Sequence, residues 1–73
     1  MKRYIVNVHR RKLDDEGLPY WLNSAETHWA DSWQSAILSH SRVGAEFESL
    51  IDEDDLDQRC EKFGYLIHWE FAK

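Results

Sequence analysis

Residues 52–71 restrict the fold of this chain more than any other stretch. Behind an acidic start, apolar residues at Leu56, Cys60 and Phe63 recur at intervals of four and three, which places them on one face of a helix. Gly64 comes next, and glycine readily adopts the left-handed conformation that ends many helices. The residues after it are mainly aromatic and aliphatic, as in a buried strand. The stretch therefore predicts a helix, a glycine cap and a strand.

The predicted strand over residues 65–71 has one apolar face and one mixed face, since side chains alternate between the two sides of a strand. The apolar face would carry Tyr65, Ile67, Trp69 and Phe71, and the mixed face Leu66, His68 and Glu70. Antiparallel sheets commonly face solvent on one side. We therefore expect helices to cover only one face of the sheet.

The first half of the chain predicts two strands and a helix. Residues 4–9 alternate and are rich in β-branched and aromatic types, which indicates a first strand. Residues 10–19 are polar, so we expect a long hairpin loop that leads to a short second strand at 20–22. A helix capped by Asn23 or Ser24 would follow. Its apolar stripe would contain Ala25, Trp29, Trp33, Ala36, Ile37 and His40.

Residues 42–51 fit two structures. Val43 and Phe47 belong to an alternating pattern that is typical of a half-exposed strand. Together with Leu50 they also fit a helix, which Gly44 would weaken by about 1 kcal/mol relative to alanine. We favour the strand.

These elements define one domain over residues 1–73. We expect an α/β fold of the α+β kind: a small two-layer domain with two helices on one face of a three- to four-stranded sheet, in the order β-β-α-β-α-β. The lone Cys60 excludes an internal disulfide and fits a reducing compartment. No apolar run is long enough to span a bilayer. We therefore expect a cytoplasmic protein that does not contact membranes.

Charge is distributed unevenly along the chain. The net charge is −5, but residues 1–12 carry five basic residues and no acid, while the remainder carries four basic and fourteen acidic residues. The two parts therefore bear +5 and −10. The overall acidity argues against general affinity for nucleic acid, because that affinity depends on neutralising phosphates.

An acidic cluster is the first candidate for partner binding. It would present carboxylates to a basic surface, as nucleic acid presents phosphates. Helix capping and complementarity to the helix dipole also explain part of this cluster. Its members are Asp52, Glu53, Asp54, Asp55 and Asp57.

Tryptophans are the second candidate, because tryptophan is enriched at binding hot spots. Trp29 and Trp33 lie one turn apart on the predicted helix, a spacing that is also typical of core residues. Trp21 lies near the predicted loop. Any of the three that the small core does not enclose would anchor a partner.

A basic loop is the alternative binding site. Arg10, Arg11 and Lys12, followed by Tyr20 and Trp21, would contact single-stranded nucleic acid by charge and stacking. Three consecutive acids behind the basic residues oppose that interpretation.

No residue pattern indicates a catalytic, metal-binding or cofactor-binding site. The four histidines lack metal-ligand spacing, and Cys60 falls on the apolar face of its helix. The chain has no glycine-rich phosphate loop and no nucleophile-elbow motif. We therefore expect no metal, no cofactor and no enzymatic activity.

In size and layout, the chain resembles the small acidic proteins that phages encode against host defences, anti-CRISPR proteins above all. The resemblance rests on the compact opening at residues 1–8, the Trp-rich middle, and the acidic helix that leads into a terminal strand. That group shares no motif, so no functional residue carries over by position. The resemblance implies a stoichiometric inhibitor that binds a host protein or complex in the host cytoplasm.

Three functional hypotheses follow. The first is a non-enzymatic protein-binding module, an inhibitor that uses the acidic cluster and aromatic anchors against a basic surface. The second is a small nucleic-acid-binding or regulatory protein that uses Arg10, Arg11 and Lys12. The third is a structural homodimer.

Overall fold

The computed structural model of the chain describes residues 1–73. It contains three β-strands, two α-helices and one short 3-10 helix. Their bounds are β1 Lys2–Leu13, β2 Pro19–Ala30, α1 Trp33–Ser39, the 3-10 helix Ala45–Phe47, α2 Glu53–Phe63 and β3 Tyr65–Phe71. The strands form one antiparallel sheet in the order β2-β1-β3. The chain is therefore a small α+β domain with β1 at the centre of its sheet.

One face of the sheet carries the core. On β1, Tyr4, Val6 and Val8 are buried, whereas Ile5 and Asn7 between them are only partly buried. The helices and the segment between them cover this face with Ala36, Ile37, Phe47, Leu50, Leu56 and Cys60. The opposite face is open. The expectation of a sheet covered on one side is confirmed.

The C-terminal part of the chain follows the prediction closely. The side chain of Asp52 caps α2 by accepting a bond from the backbone N–H of Asp55 at 2.9 Å. Gly64 ends the helix in the left-handed region, with a φ of 75°. Tyr65 and Ile67 are buried on one face of β3. Local capping and alternation are sufficient to specify this unit.

The predicted middle helix is wrong in its first half. β2 continues for 12 residues and pairs with β1 throughout, so Trp29 is a strand residue and Trp33 opens α1. Asn23 and Ser24, which were expected to cap the helix, lie within β2. The cap is Ser32, whose hydroxyl accepts a backbone N–H bond at 3.2 Å.

The predicted fourth strand is absent, and the element order is β-β-α-α-β. Residues 42–51 form turns and the 3-10 helix instead. The carbonyls of Glu46, Glu48 and Ser49 accept bonds from the guanidinium of Arg59. The bond to Glu46 is partly buried and the other two are exposed. A side chain of α2 thus supplies the bonds that a neighbouring strand would have supplied.

β1 and β2 are longer than predicted, and the loop that joins them is shorter. Only residues 14–18 lie outside the hairpin pairing. Arg10, Arg11 and Lys12, which were predicted in a loop, are therefore strand residues. The carboxylate of Asp14 closes the turn by accepting two backbone N–H bonds, at 2.8 and 2.9 Å.

Residues 11–21 project from the domain as a two-stranded hairpin, which we call the arm. β3 pairs with β1 only as far as Arg10, which lies opposite Tyr65. Beyond that pair, β1 makes one more hydrogen bond on this side, from the N–H of Arg11 to the carbonyl of Gly64 at 2.9 Å. The projection gives the molecule a length of 44 Å against 23 and 16 Å in the other directions.

Arg59→Lys should destabilise the domain by about 1.5–3 kcal/mol, because an ammonium cannot reproduce the guanidinium fork and loses bonds that involve a charged group. Urea denaturation monitored by tryptophan fluorescence measures the loss. Arg42→Lys is the control, since the Arg42 side chain makes no hydrogen bond, and it should change stability by less than about 0.5 kcal/mol. Equal stability of the two variants would contradict the role given to Arg59.

Candidate functional site

The arm exposes large apolar side chains. Leu13 is 61% exposed and Trp21 49% exposed, and Leu18 and Tyr20 are exposed beside them. Monomeric proteins seldom display so many apolar groups together unless they bind something. An isolated two-stranded ribbon is also marginally stable in water. The arm is therefore the strongest candidate for a contact surface.

Basic and aromatic residues lie opposite each other across the arm. Arg11 pairs with Trp21, and Lys12 pairs with Tyr20. Because successive strand residues face opposite sides, Arg10 and Lys12 lie on the side of the sheet that carries the helices, and Arg11 lies on the open side. The three predicted basic residues are thus divided between two surfaces.

A cleft of about 200 Å³ opens at the base of the arm, and we call it the basic cleft. It is lined by Val8, Arg10, Lys12, Leu22, Asn23, Ser24 and Arg42. Arg42 was not among the predicted site residues. It lies in the segment that fits both strand and helix, and no local pattern relates it to β1.

Glu26 holds the segment that carries Arg42 against β2. Its carboxylate accepts bonds from the hydroxyl of Ser41 and from the backbone N–H of Ser41, the latter at 3.1 Å. The ring Nε2 of His28 lies 2.8 Å from the same carboxylate. These bonds, that of the Ser41 hydroxyl above all, lower the pKa of Glu26 from 4.5 to about 2.

His40 completes this connection. Its ring is buried, and its Nδ1 accepts a bond from the backbone N–H of Arg42 at 3.0 Å. In the neutral ring the proton is then on Nε2, which donates to the carbonyl of Ser24 at 3.2 Å. The end of α1 is thereby joined to β2, and the backbone at Arg42 is fixed beside the basic cleft.

The acidic cluster is largely engaged in the start of α2. Asp52 is the cap. Asp55 accepts bonds from the backbone N–H of Ile51 and from the guanidinium of Arg59, at 3.0 Å each. These two partners, Ile51 first, lower the pKa of Asp55. Both acids therefore have a structural role.

The other three acids differ in availability. Glu53 accepts a bond from the indole N–H of Trp69 at 3.1 Å. Asp54 and Asp57 make no side-chain hydrogen bond or ion pair, so they are the members of the cluster that are free to meet a partner.

The tryptophans expected to bind a partner lie in three separate places. Trp33 stacks on Trp69 with ring centroids 5.9 Å apart and packs against the core. Trp29 is 65% exposed on the open face of the sheet, and Trp21 is on the arm. The acidic cluster lies at the start of α2, whereas the arm lies beyond its end, next to Gly64. The predicted binding residues therefore do not form one site.

Cys60 and the pair of His9 and His68 lie in different environments. Cys60 is buried, and that burial raises the pKa of its thiol. The rings of His9 and His68 lie 6.2 Å apart on the open face. No group of three or more histidine, cysteine or carboxylate side chains is placed to hold a metal ion.

Charge is separated between the two layers. The three strands carry five basic residues, all on β1, and two acids, Glu26 and Glu70, a net charge of +3. Residues 44–63, which lie over the sheet, carry eight acids and two basic residues, a net charge of −6. The asymmetry along the sequence thus becomes an asymmetry across the molecule.

Comparison of the chain with protein-family models, curated proteins and solved structures gives no match. None of the helices is long and apolar enough to cross a lipid bilayer.

Glu26→Gln should weaken the fold at neutral pH and should change the acid dependence of stability. Because folding lowers the pKa of Glu26 from 4.5 to about 2, its contribution is complete above about pH 4.5 and is lost as the pH falls towards 2. The difference in urea midpoint between wild type and variant should therefore narrow across that range. Glu16→Gln is the control, because it removes a loop carboxylate that accepts no hydrogen bond. Its difference in urea midpoint from wild type should not narrow. A constant difference at all pH values would contradict the assignment.

Proposed function

We propose that this protein is a non-enzymatic protein-binding module and that the arm is its main contact element. The observation that carries this proposal is the exposure of four large apolar side chains, Leu13, Leu18, Tyr20 and Trp21, on residues 11–21, a ribbon that has no third strand. Burial of such groups against a partner is favourable by roughly 25 cal/mol per Å² of apolar surface. Aromatic anchors of this kind commonly dominate binding energy.

The free carboxylates supply the electrostatic part of the proposal. Asp54 and Asp57 lie in the layer of net negative charge and would attract a basic surface. Such attraction mainly raises the association rate and weakens with salt. In line with the resemblance to phage anti-defence proteins, the module would act as a stoichiometric inhibitor of a host complex that has a basic, nucleic-acid-binding surface.

Leu13→Ser/Trp21→Ser should abolish capture of the partner, because it removes two exposed apolar anchors from one side of the arm. The measurement is affinity capture of nuclease-treated bacterial lysate with tagged protein, followed by mass spectrometry and determination of the binding ratio. Leu38→Ser/Ile51→Ser is the matched control, since it removes two exposed aliphatic side chains elsewhere.

The expected result is one host protein or complex, captured stoichiometrically by wild type and control and lost with the arm variant. Asp54→Lys/Asp57→Lys should slow its association while leaving Asp55, and hence the start of α2, intact. Retention of the partner by the arm variant would contradict the proposal. A dimeric mass of the isolated protein, lost in the arm variant, would instead support the homodimer.

Nucleic-acid binding is the second candidate. The pairing of Arg11 with Trp21, and of Lys12 with Tyr20, favours it. A cation beside an aromatic ring can hold a phosphate while the ring stacks on a base.

A fluorescently labelled single-stranded oligonucleotide tests this second candidate by anisotropy at several salt concentrations. Arg11→Ala should lower the magnitude of the salt slope of log K by about 0.7, the value for one phosphate contact on a single strand. Trp21→Ala should weaken binding without changing that slope. Absence of binding by the wild type at low salt would exclude the candidate.

A further inference from the structure

We propose that the basic cleft is a binding site for a phosphate group. The cleft lies on the helix side of the sheet, at the base of the arm, and is separate from the open-side surface that carries Leu13 and Trp21. This inference is independent of the protein-binding proposal. It concerns a small anionic ligand, which the side chains of Arg10, Lys12 and Arg42 would hold.

The cleft is positively charged. Arg10, Lys12 and Arg42 line it, and no acidic residue does. None of the three cations takes part in an ion pair, although the chain as a whole bears −5. Three unpaired cations around one cavity repel each other, and a bound dianion would remove that repulsion.

Parts of the cleft are held in place by neighbouring residues. The guanidinium of Arg10 lies over the ring of Tyr65, 5.1 Å from its centroid. The backbone of Arg42 is held by His40, and the carbonyl of Ser24 accepts the other bond of the same ring. The Arg10 side chain and the backbone at Arg42 are therefore in place before a ligand arrives, which lowers the entropy cost of binding.

The chemistry of the donors favours phosphate over carboxylate. Two guanidinium groups offer planar pairs of N–H donors, and the ammonium of Lys12 adds a mobile point charge, a combination suited to several oxygens spread around one centre. The volume of about 200 Å³ leaves room for a group attached to the phosphate. Tyr20, which is paired with Lys12, extends the same side of the arm with an aromatic ring.

Titration of the ¹⁵N-labelled full chain with inorganic pyrophosphate, followed by amide chemical shifts, tests the proposal. Saturable shifts should centre on the residues that line the cleft. Lys12→Ala/Arg42→Ala should weaken pyrophosphate binding at least about tenfold, the loss expected when charge-assisted bonds are removed. Arg10 is left unchanged because it packs on Tyr65.

Arg3→Ala/Lys73→Ala is the charge-matched control. It also removes two cations, but both lie at the opposite end of the sheet from the basic cleft, so pyrophosphate affinity should change less than about twofold. The amide spectra of both variants, recorded without pyrophosphate, show whether each is folded. Leu13→Ser/Trp21→Ser, which should lose partner capture, should bind pyrophosphate like wild type. Failure of one proposal can therefore be distinguished from failure of the other.

Further titrations distinguish the sources of the phosphate. Tighter binding of ADP than of pyrophosphate, through the same residues, would assign the site to a free nucleotide, and tighter binding of a short oligonucleotide would assign it to a phosphodiester strand. Equal binding of glutarate and pyrophosphate would overturn the choice of phosphate. Shifts without saturation, or equal losses in both double variants, would overturn the site itself.

Discussion

The guanidinium of Arg59 is the interaction on which the helix layer depends. It pairs with Asp55 within α2 and donates to the carbonyls of Glu46, Glu48 and Ser49 in the segment between the helices. A short chain buries a modest fraction of its surface, and this segment supplies Phe47 and Leu50 to the core. Arg59 thus allows residues without regular structure to cover a sheet, because their carbonyls have partners.

The parts of the fold that sequence predicted are those specified by neighbours in the chain. Asp52, Gly64 and the alternation of β3 act over a few residues, and the structure agrees with each. The errors arose where distant contacts decide. Asn23 and Ser24 fitted a helix cap, yet they lie on a strand because β2 pairs with β1 along its whole length. Glu26 on the same strand bonds to Ser41, fifteen residues away. Tertiary contacts of this kind override local preference.

The candidate site could be predicted only in part for a related reason. The sequence showed basic residues followed by aromatic ones, but the strand places Arg11 and Lys12 on opposite sides of the sheet, where a loop was predicted. Arg42 lies with Arg10 and Lys12 because His40 and Ser24 hold it there, a connection that no spacing rule contains. The acidic cluster, by contrast, is evident in the sequence, although hydrogen bonds within the fold leave only Asp54 and Asp57 free. Composition showed the charges, and packing determined which of them are available.

The separation of charge between the layers has a consequence for how the molecule approaches anything. With a sheet of +3 under a segment of −6, the protein has an electric dipole that runs from the helix layer to the sheet. In the field near a charged surface such a molecule rotates before it touches. A basic surface would meet its helices and an anionic surface its sheet. The sign of the charge on that surface, rather than the small net charge of the protein, would therefore determine which face of the protein makes contact first.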